Sequence, residues 1–291
     1  MIKPLNILVC TDFSSFSLNA SKAAEKLRSK CDGKSYHLHV SEFSVMWDWM
    51  PPDYIEGRFE MDLLNNLRKK MEDEIQKTNS SSEGLIEIGL IPTIVGQQVK
   101  DKKIDLIVIG HKGQTGRFHL GSIAEKIIAT SEVPVLVVKD NFNIHTIGGL
   151  IDPNGTMEDI IRWTEDLALT FGSQEKIISL FPDIASRFIG VGKFGFSTEL
   201  LSLTDHQKDI IKKNLNENIR KKLKLKDSHI RIDFSVERKV SYHLNEILEE
   251  EKVDLAVMKK HQSDFMEKIL IGSETRRMLE IFKKNLLILP S

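Results

Sequence analysis

Two stretches of this chain, offset by the 151 residues between Gly121 and Gly272, spell the same succession of elements. Asp105 opens DLIVIGHKG…GSIAEKIIATSEVPVLVV, and Asp254 opens DLAVMKKHQ…GSETRRMLEIFKKNLLILP. Near the start of each copy lies a short apolar run ending in aspartate, Leu5–Asp12 (LNILVCTD) and Ile147–Asp152 (IGGLID). Two tandem copies of one domain explain this pattern, 1–142 and 143–291, with Asp140 to Thr146 as the joint. In a chain of 291 residues each copy is large enough to bury its own core.

The better-marked copy is the first. Leu106 to Ile109 is an apolar run ending on Gly110, after which Gly113, Gly116 and Gly121 punctuate a loop and Ser122 follows. From Ile123 the pattern is helical, with Ile123, Ile127 and Ile128 opposite Glu125 and Lys126. Pro134 then introduces Val135 to Val138, completing a βαβ unit with its loop at the carboxyl end of a buried strand. Upstream, Ile7–Cys10, Tyr36–Val40 and the alternating Ile86, Ile88 and Leu90 read as strands. Ala20, Ala23, Ala24 and Leu27 mark a close-packing helix, and Leu64, Leu67, Met71 and Ile75 mark the stripe of a longer one over about Glu60–Gln76. A short helix over Thr93–Lys102 precedes the glycine loop. The order is that of a doubly wound, five-stranded parallel α/β sheet.

The second copy repeats it. Thr156 with Asp159 is expected to cap a helix through Ile160, Trp163, Leu167 and Phe171. Ile177–Phe181 reads as a strand, Asp205–Lys224 as a helix burying Ile211, Leu215, Ile219 and Leu223, and Ile230 to Val236 as an alternating strand. The lysines of that helix are interleaved with Asp209 and Glu217 and lack aromatic neighbours, which reads as a solvated face rather than a nucleic-acid site.

The chemistry the glycine loop offers is anion binding. Its backbone amides are uncovered, and the helix from Ser122 aims its positive end at the same space. A tight β–α turn with nothing bound is the alternative. Asp12, at the carboxyl end of the first strand, stands where it can accept from a ribose hydroxyl, or where it or Ser14 can cap the following helix.

Elsewhere the sequence excludes more than it offers. No G-x-S-x-G, H-E-x-x-H, C-x-x-C or G-x-x-x-x-G-K-[ST] occurs. Gly190 to Gly195 spells G-x-G-x-x-G, but no strand runs directly into it, so it reads as a loop. His37 and His39 read as a chance pair rather than a metal site, and Cys10 as core. Met46, Trp47, Trp49, Met50 and Tyr54 crowd a Pro-containing loop that is a candidate interface for a protein partner, against the ordinary reading of aromatics folded onto their own domain. A net charge of −1 provides no field for nucleic acid or membrane, and two cysteines are too few for a disulfide framework. With no apolar run of about 18 residues, a cytoplasmic protein is expected.

The same residues carry a resemblance to the universal stress protein family, whose signature is G-x-x-G, nine residues, then G-S or G-T. Gly110-His111-Lys112-Gly113 and Gly121-Ser122 match its two ends, though only seven residues, Gln114 to Leu120, lie between. Thr11-Asp12-Phe13-Ser14 is similar to the family's opening, and Val40 matches the position whose backbone meets adenine in ATP-binding members. The resemblance implies an adenine nucleotide alpha hydrolase-like fold. It implies ATP, with or without Mg, held by Thr11, Asp12, Val40, Gly110, Lys112, Gly113, Gly121, Ser122 and Ile123. In the second copy Lys259 and Gln262 stand where glycines belong and only Gly272 and Ser273 remain, so that copy is not expected to bind ATP in the family's manner. Lys259 or Lys260 there reads as an exposed lysine or a weak anion contact.

Family dimers pair their last strands, which implies that Val135–Val138 and Leu286–Leu289 pair within this chain as an intramolecular pseudo-dimer, leaving a further homodimer open. The expected function is a nucleotide-dependent sensor or regulator in a stress response. At most it would hydrolyse ATP slowly. The competing class is a stress-response scaffold that binds no nucleotide.

Overall fold

The computed structural model describes residues 4–42, 58–111, 122–152, 157–182, 204–223, 229–235, 240–260 and 273–291. It falls into two units: Met1–Asn143 with Lys260–Gly272 and Lys283–Ser291, and Ile144–Lys259 with Ser273–Phe282.

In the first unit the order is β1 (Ile7–Cys10), α1 (Ser15–Arg28), β2 (Ser35–Ser41), α2 (Arg58–Lys77), β3 (Glu83–Ile88), α3 (Ile91–Asp101), β4 (Leu106–Gly110), α4 (Ser122–Thr130) and β5 (Val135–Val138). These strands lie in the order β3-β2-β1-β4-β5, all parallel. The chain first moves outward from β1 to β3, then crosses back to β4 and β5. Right-handed crossovers therefore put α1 and α2, which touch, on one face, and α3 and α4, which also touch, on the other. Covered on both sides, β1 and β4 are continuously apolar, and Ile7, Leu8, Val9 and Val108 are fully buried. Ala20, Ala23 and Ala24 bring α1 close to this sheet, each at most 1% exposed. Leu90 is not in the third strand but exposed beyond its end, at the N-cap of α3.

The C-terminal strand β10 (Asn285–Leu289) belongs to this unit and pairs antiparallel with β5, Leu286 opposite Val137 and Ile288 opposite Val135. That is the pairing expected of Val135–Val138 and Leu286–Leu289. Asn285 fixes it: its Oδ1, buried, accepts from the Lys139 N–H at 3.0 Å. The joint is tied down as well. Lys26 Nζ donates to the Phe142 carbonyl at 3.0 Å and to Asn143 Oδ1 at 2.6 Å.

The second unit contains β6 (Thr146–Ile151), α5 (Glu158–Phe171), β7 (Gln174–Pro182), α6 (Asp205–Leu223), β8 (His229–Ser235), α7 (Val240–Glu250), β9 (Leu255–Lys259) and α8 (Ser273–Ile281). Its strands run parallel in the order β9-β6-β7-β8. Among the described residues this unit therefore has four strands rather than five, since β10 is counted with the first. Two smaller expectations also change. The N-cap of α5 is Met157, which makes no side-chain cap bond, and Thr156 lies outside the described residues. Along α6, among the described side chains, only Ile219 is fully buried, Ile211 and Leu215 being half-buried, while Lys213 and Lys221 are exposed and Leu223 lies outside them.

Candidate functional site

A cavity of about 450 Å³ opens at the carboxyl ends of β1, β2 and β4. This is where the strand order reverses, between β1 and β4, the place at which open α/β sheets bind ligands. Its size is that of a small-molecule site. The inner wall is apolar and buried, with Leu38, Val95, Ile109 and Ile127 each at most 4% exposed. The lip is polar, with Asp12, Ser14, His39 and His111. Such a lining suits a ligand with one flat apolar part and one polar, hydrogen-bonding part.

The lip is built by the turn between β1 and α1. Ser14 is the N-cap of α1, its hydroxyl accepting from the Ser17 N–H at 3.3 Å. Asp12 is thus spared the cap. It accepts instead from the Ser14 N–H at 3.0 Å, and its exposed carboxylate lines the cavity. Burial pulls the Asp12 pKa upward, but hydrogen bonds from Ser14 and Ser17 outweigh it and hold the carboxyl below its ordinary 3.8. The group is an anion at neutral pH, ready to accept.

Between them Phe13 has φ of +61°, a left-handed conformation uncommon for a bulky side chain. Three contacts hold it there. Its N–H donates to Thr11 Oγ1 at 3.0 Å, its ring lies 4.5 Å from that of His39, and Lys70 Nζ stands 6.0 Å from its centroid. His39 Nδ1 is 2.9 Å from the Thr11 carbonyl, which can only accept, so Nδ1 carries a proton. In the neutral ring Nε2 is left as an acceptor, with Ser41 Oγ at 3.3 Å.

Of the residues singled out from sequence, Thr11, Asp12, Val40, Gly110 and Ile123 all line this cavity. Gly110 also has a packing duty: a Cβ there would stand 2.3 Å from the Phe16 carbonyl oxygen. Ser122 opens α4, so the helix start is where the sequence puts it. Lys112, Gly113 and Gly121 lie outside the described residues, as do the tryptophan loop around Trp47 and Trp49, Gly190–Gly195, and Gln262. Cys10 is half-buried rather than sealed in the core, lines the cavity, and has its thiol pushed up to about 12 by burial. Sequence reasoning missed Phe13 and the site role of His39. The signal for His39 was its place at the end of a strand beside Val40.

In the second unit Asp152 follows β6 as Asp12 follows β1, and is exposed. Lys260, counted with the first unit, is neither exposed nor at an anion site. Its Nζ donates to the Ala129 carbonyl at 2.7 Å, at the carboxyl end of α4. Among the described residues no group of three or more His, Cys, Asp or Glu side chains gathers as for a metal ion, and no helix is long and apolar enough to cross a membrane.

Comparison with known proteins points one way. Residues 5–139 match the model of the universal stress protein family. The chain is 32% identical over 142 residues to universal stress protein MJ0531 of Methanocaldococcus jannaschii, covering 46% of this chain and 81% of that one. It is 28% identical over 151 residues to MJ0577 of the same organism, covering 93% of that protein. The crystal structure of a universal stress protein from Archaeoglobus fulgidus superposes with a TM-score of 0.69 at 14% identity, over 98% of both chains, and so shares the fold.

Proposed function

As the chain belongs to the universal stress protein family, we propose that its first unit binds ATP in the cavity at the ends of β1, β2 and β4 and acts as a nucleotide-dependent regulator. The observation that carries this reading is the lining itself. An apolar inner wall of Leu38, Val95, Ile109 and Ile127 suits a base, with the Val40 backbone at its edge. Asp12, anionic and on the lip, suits a ribose hydroxyl. Gly110 and Ile123 line the cavity, and to Lys112, Gly113, Gly121 and Ser122, which lie between them in the sequence, we assign the phosphates, with or without Mg. The start of α4 at Ser122 supports that assignment, because a helix N-terminus attracts anions.

We read the two copies as 1–142 and 143–291, with binding confined to the first, since Lys259 and Gln262 replace the glycines in the second. The protein is read as a binder rather than an enzyme. Titration of the full chain with ATP by calorimetry tests the reading. One site of micromolar affinity, lost in Gly113→Val, is the expected result. A flat titration overturns it in favour of a scaffold without nucleotide.

A further inference from the structure

Glu74 breaks the apolar stripe of α2, and it is buried to 5% exposure between α2 and α1. An apolar side chain at this position would avoid the desolvation of a carboxylate, which is costly unless its oxygens are fully engaged. They are engaged by two hydroxyls. Oε2 lies 2.8 Å from Thr11 Oγ1, and Oε1 lies 2.7 Å from Ser21 Oγ. Among the described residues Glu74 has no ion-pair partner.

The Thr11 contact leads straight to the cavity. Thr11 has one hydroxyl proton and two neighbours that could take it, Glu74 Oε2 at 2.8 Å and Ser17 Oγ at 3.0 Å. The nearer, charged carboxylate, which can only accept, takes it, and the Ser17 hydroxyl donates to the Ser14 carbonyl at 2.9 Å. The Thr11 oxygen is thereby turned with a lone pair towards the Phe13 N–H, 3.0 Å away. That bond closes the turn in which Phe13 sits at φ of +61°. Asp12 lies inside this turn, and the Thr11 carbonyl holds His39 Nδ1 at 2.9 Å. Asp12 and His39, two of the four polar residues of the lip, are therefore mounted on Thr11, and the orientation of Thr11 is set from below by a residue that does not itself line the cavity.

We propose that Glu74 is a positioning residue for the nucleotide site: by accepting the Thr11 proton it fixes the turn that presents Asp12 to the ligand. The inference rests on the nucleotide reading given above. Its rival is a purely structural clamp of α2 on α1 through Ser21. The two differ in what replaces the carboxylate. Gln at this position keeps an acceptor for Thr11 and turns its NH₂ to Ser21 Oγ, whose own proton passes to the Ser17 carbonyl at 3.0 Å. Met fills similar space and accepts nothing useful.

The test is calorimetric titration of the full chain with ATP for the wild type, E74M, E74Q, T11V and E74M/T11V, with thermal melts to establish folding. E74M should weaken binding about tenfold, the scale of one well-placed hydrogen bond, while E74Q stays within about threefold of the wild type. E74M/T11V should bind no worse than T11V alone, because Glu74 acts on the turn through the Thr11 hydroxyl, which T11V has already removed together with the acceptor of the Phe13 N–H. Wild-type affinity in folded E74M overturns the inference, as do equal losses in E74Q and E74M or a double variant in which the two losses add. If E74M does not fold, T11V decides, since it removes the bond from the other end with little change of shape; unaltered binding then overturns the inference. Failure of the wild type to bind ATP overturns the nucleotide reading and this inference with it, whereas binding indifferent to E74M overturns this inference alone.

Discussion

Gly110 approaches Phe16 so closely that a Cβ on the glycine would lie 2.3 Å from the Phe16 carbonyl oxygen. The obstacle is backbone at the start of α1, which cannot rotate away as a side chain could. Gly110→Ala must therefore push α1 off the end of β4 and widen the cavity between them. The expected cost is about 1–3 kcal/mol, the range for overpacked sites. Urea unfolding measures it, and an unchanged midpoint would mean that the approach is not as close as described.

Gly96 is the matched contrast. It lies inside α3, and a Cβ there meets nothing within 4 Å. Gly96→Ala should stabilise the protein by about 0.5–1 kcal/mol, because alanine is the better helix former and restricts the unfolded chain. The same urea series reads both variants, and they should move in opposite directions.

The difference between these two glycines shows what the sequence could and could not reveal. Periodicity placed β1, α1, β4 and α4 to within a residue or two, because strands buried on both faces and a helix with an alanine face leave strong patterns. The pairing of β5 with β10 was legible only through the family resemblance, with which the apolar character of both runs agrees. The turn at Phe13 was not, since nothing in TDFS signals a left-handed phenylalanine; the Thr11 hydroxyl, the His39 ring and the Lys70 ammonium make that conformation tolerable. Glu74 did leave a trace. It stands three residues after Met71 and seven after Leu67, on a stripe that is otherwise apolar. A carboxylate in such a place has a buried partner or a cost, and the partner is a site residue.

Asp12→Asn should weaken ATP binding about tenfold, as one charge-assisted hydrogen bond becomes a neutral one. The carboxyl is held below its ordinary 3.8, so its ionised form favours the folded state. That contribution is complete above pH 3.8 and is lost as pH falls through the lower, folded value. Melts of wild type and Asp12→Asn should therefore differ at neutral pH and converge in strong acid. A gap that persists there would mean that the side chain acts through its shape and not its charge.

His37 has the same proton balance as Asp12, at higher pH. It is 1% exposed on β2, among the described residues neither ring nitrogen has a hydrogen-bond partner, and burial pushes its pKa from 6.5 down to about 4, against the pull of the Glu25 carboxylate. Between those values the unfolded chain binds a proton and the native one does not. Stability is fully present above pH 6.5 and falls as pH drops towards 4. At ~1.4 kcal/mol per unit, roughly 2 kcal/mol has gone by pH 5. His37→Leu should remove this slope, so denaturant unfolding at pH 7.5 and pH 5 should show a smaller acid loss in the variant than in the wild type.

Lys260 closes the carboxyl end of α4, and this makes a local prediction. The Ala129 and Ile128 carbonyls, 2.7 and 3.5 Å from its Nζ, belong to the last turn, where backbone oxygens have no partner within the helix. A cation there also opposes the negative end of the helix dipole. The ammonium is half-buried, and burial lowers its pKa, so its position has a desolvation cost that the carbonyls offset. Lys260→Met should therefore cost about 1 kcal/mol and loosen α4 before the rest of the unit. Hydrogen exchange reads this as faster exchange of the amides from Ser122 to Thr130 with the β1 and β4 amides unchanged. Lys260→Arg, which keeps a donor and the charge, should restore most of the protection. Since α4 begins at the loop assigned to the phosphates and ends on Lys260, the same variant should lower ATP affinity only as far as it frays the helix. A large loss of affinity with α4 still protected would return Lys260 to the role of an anion ligand.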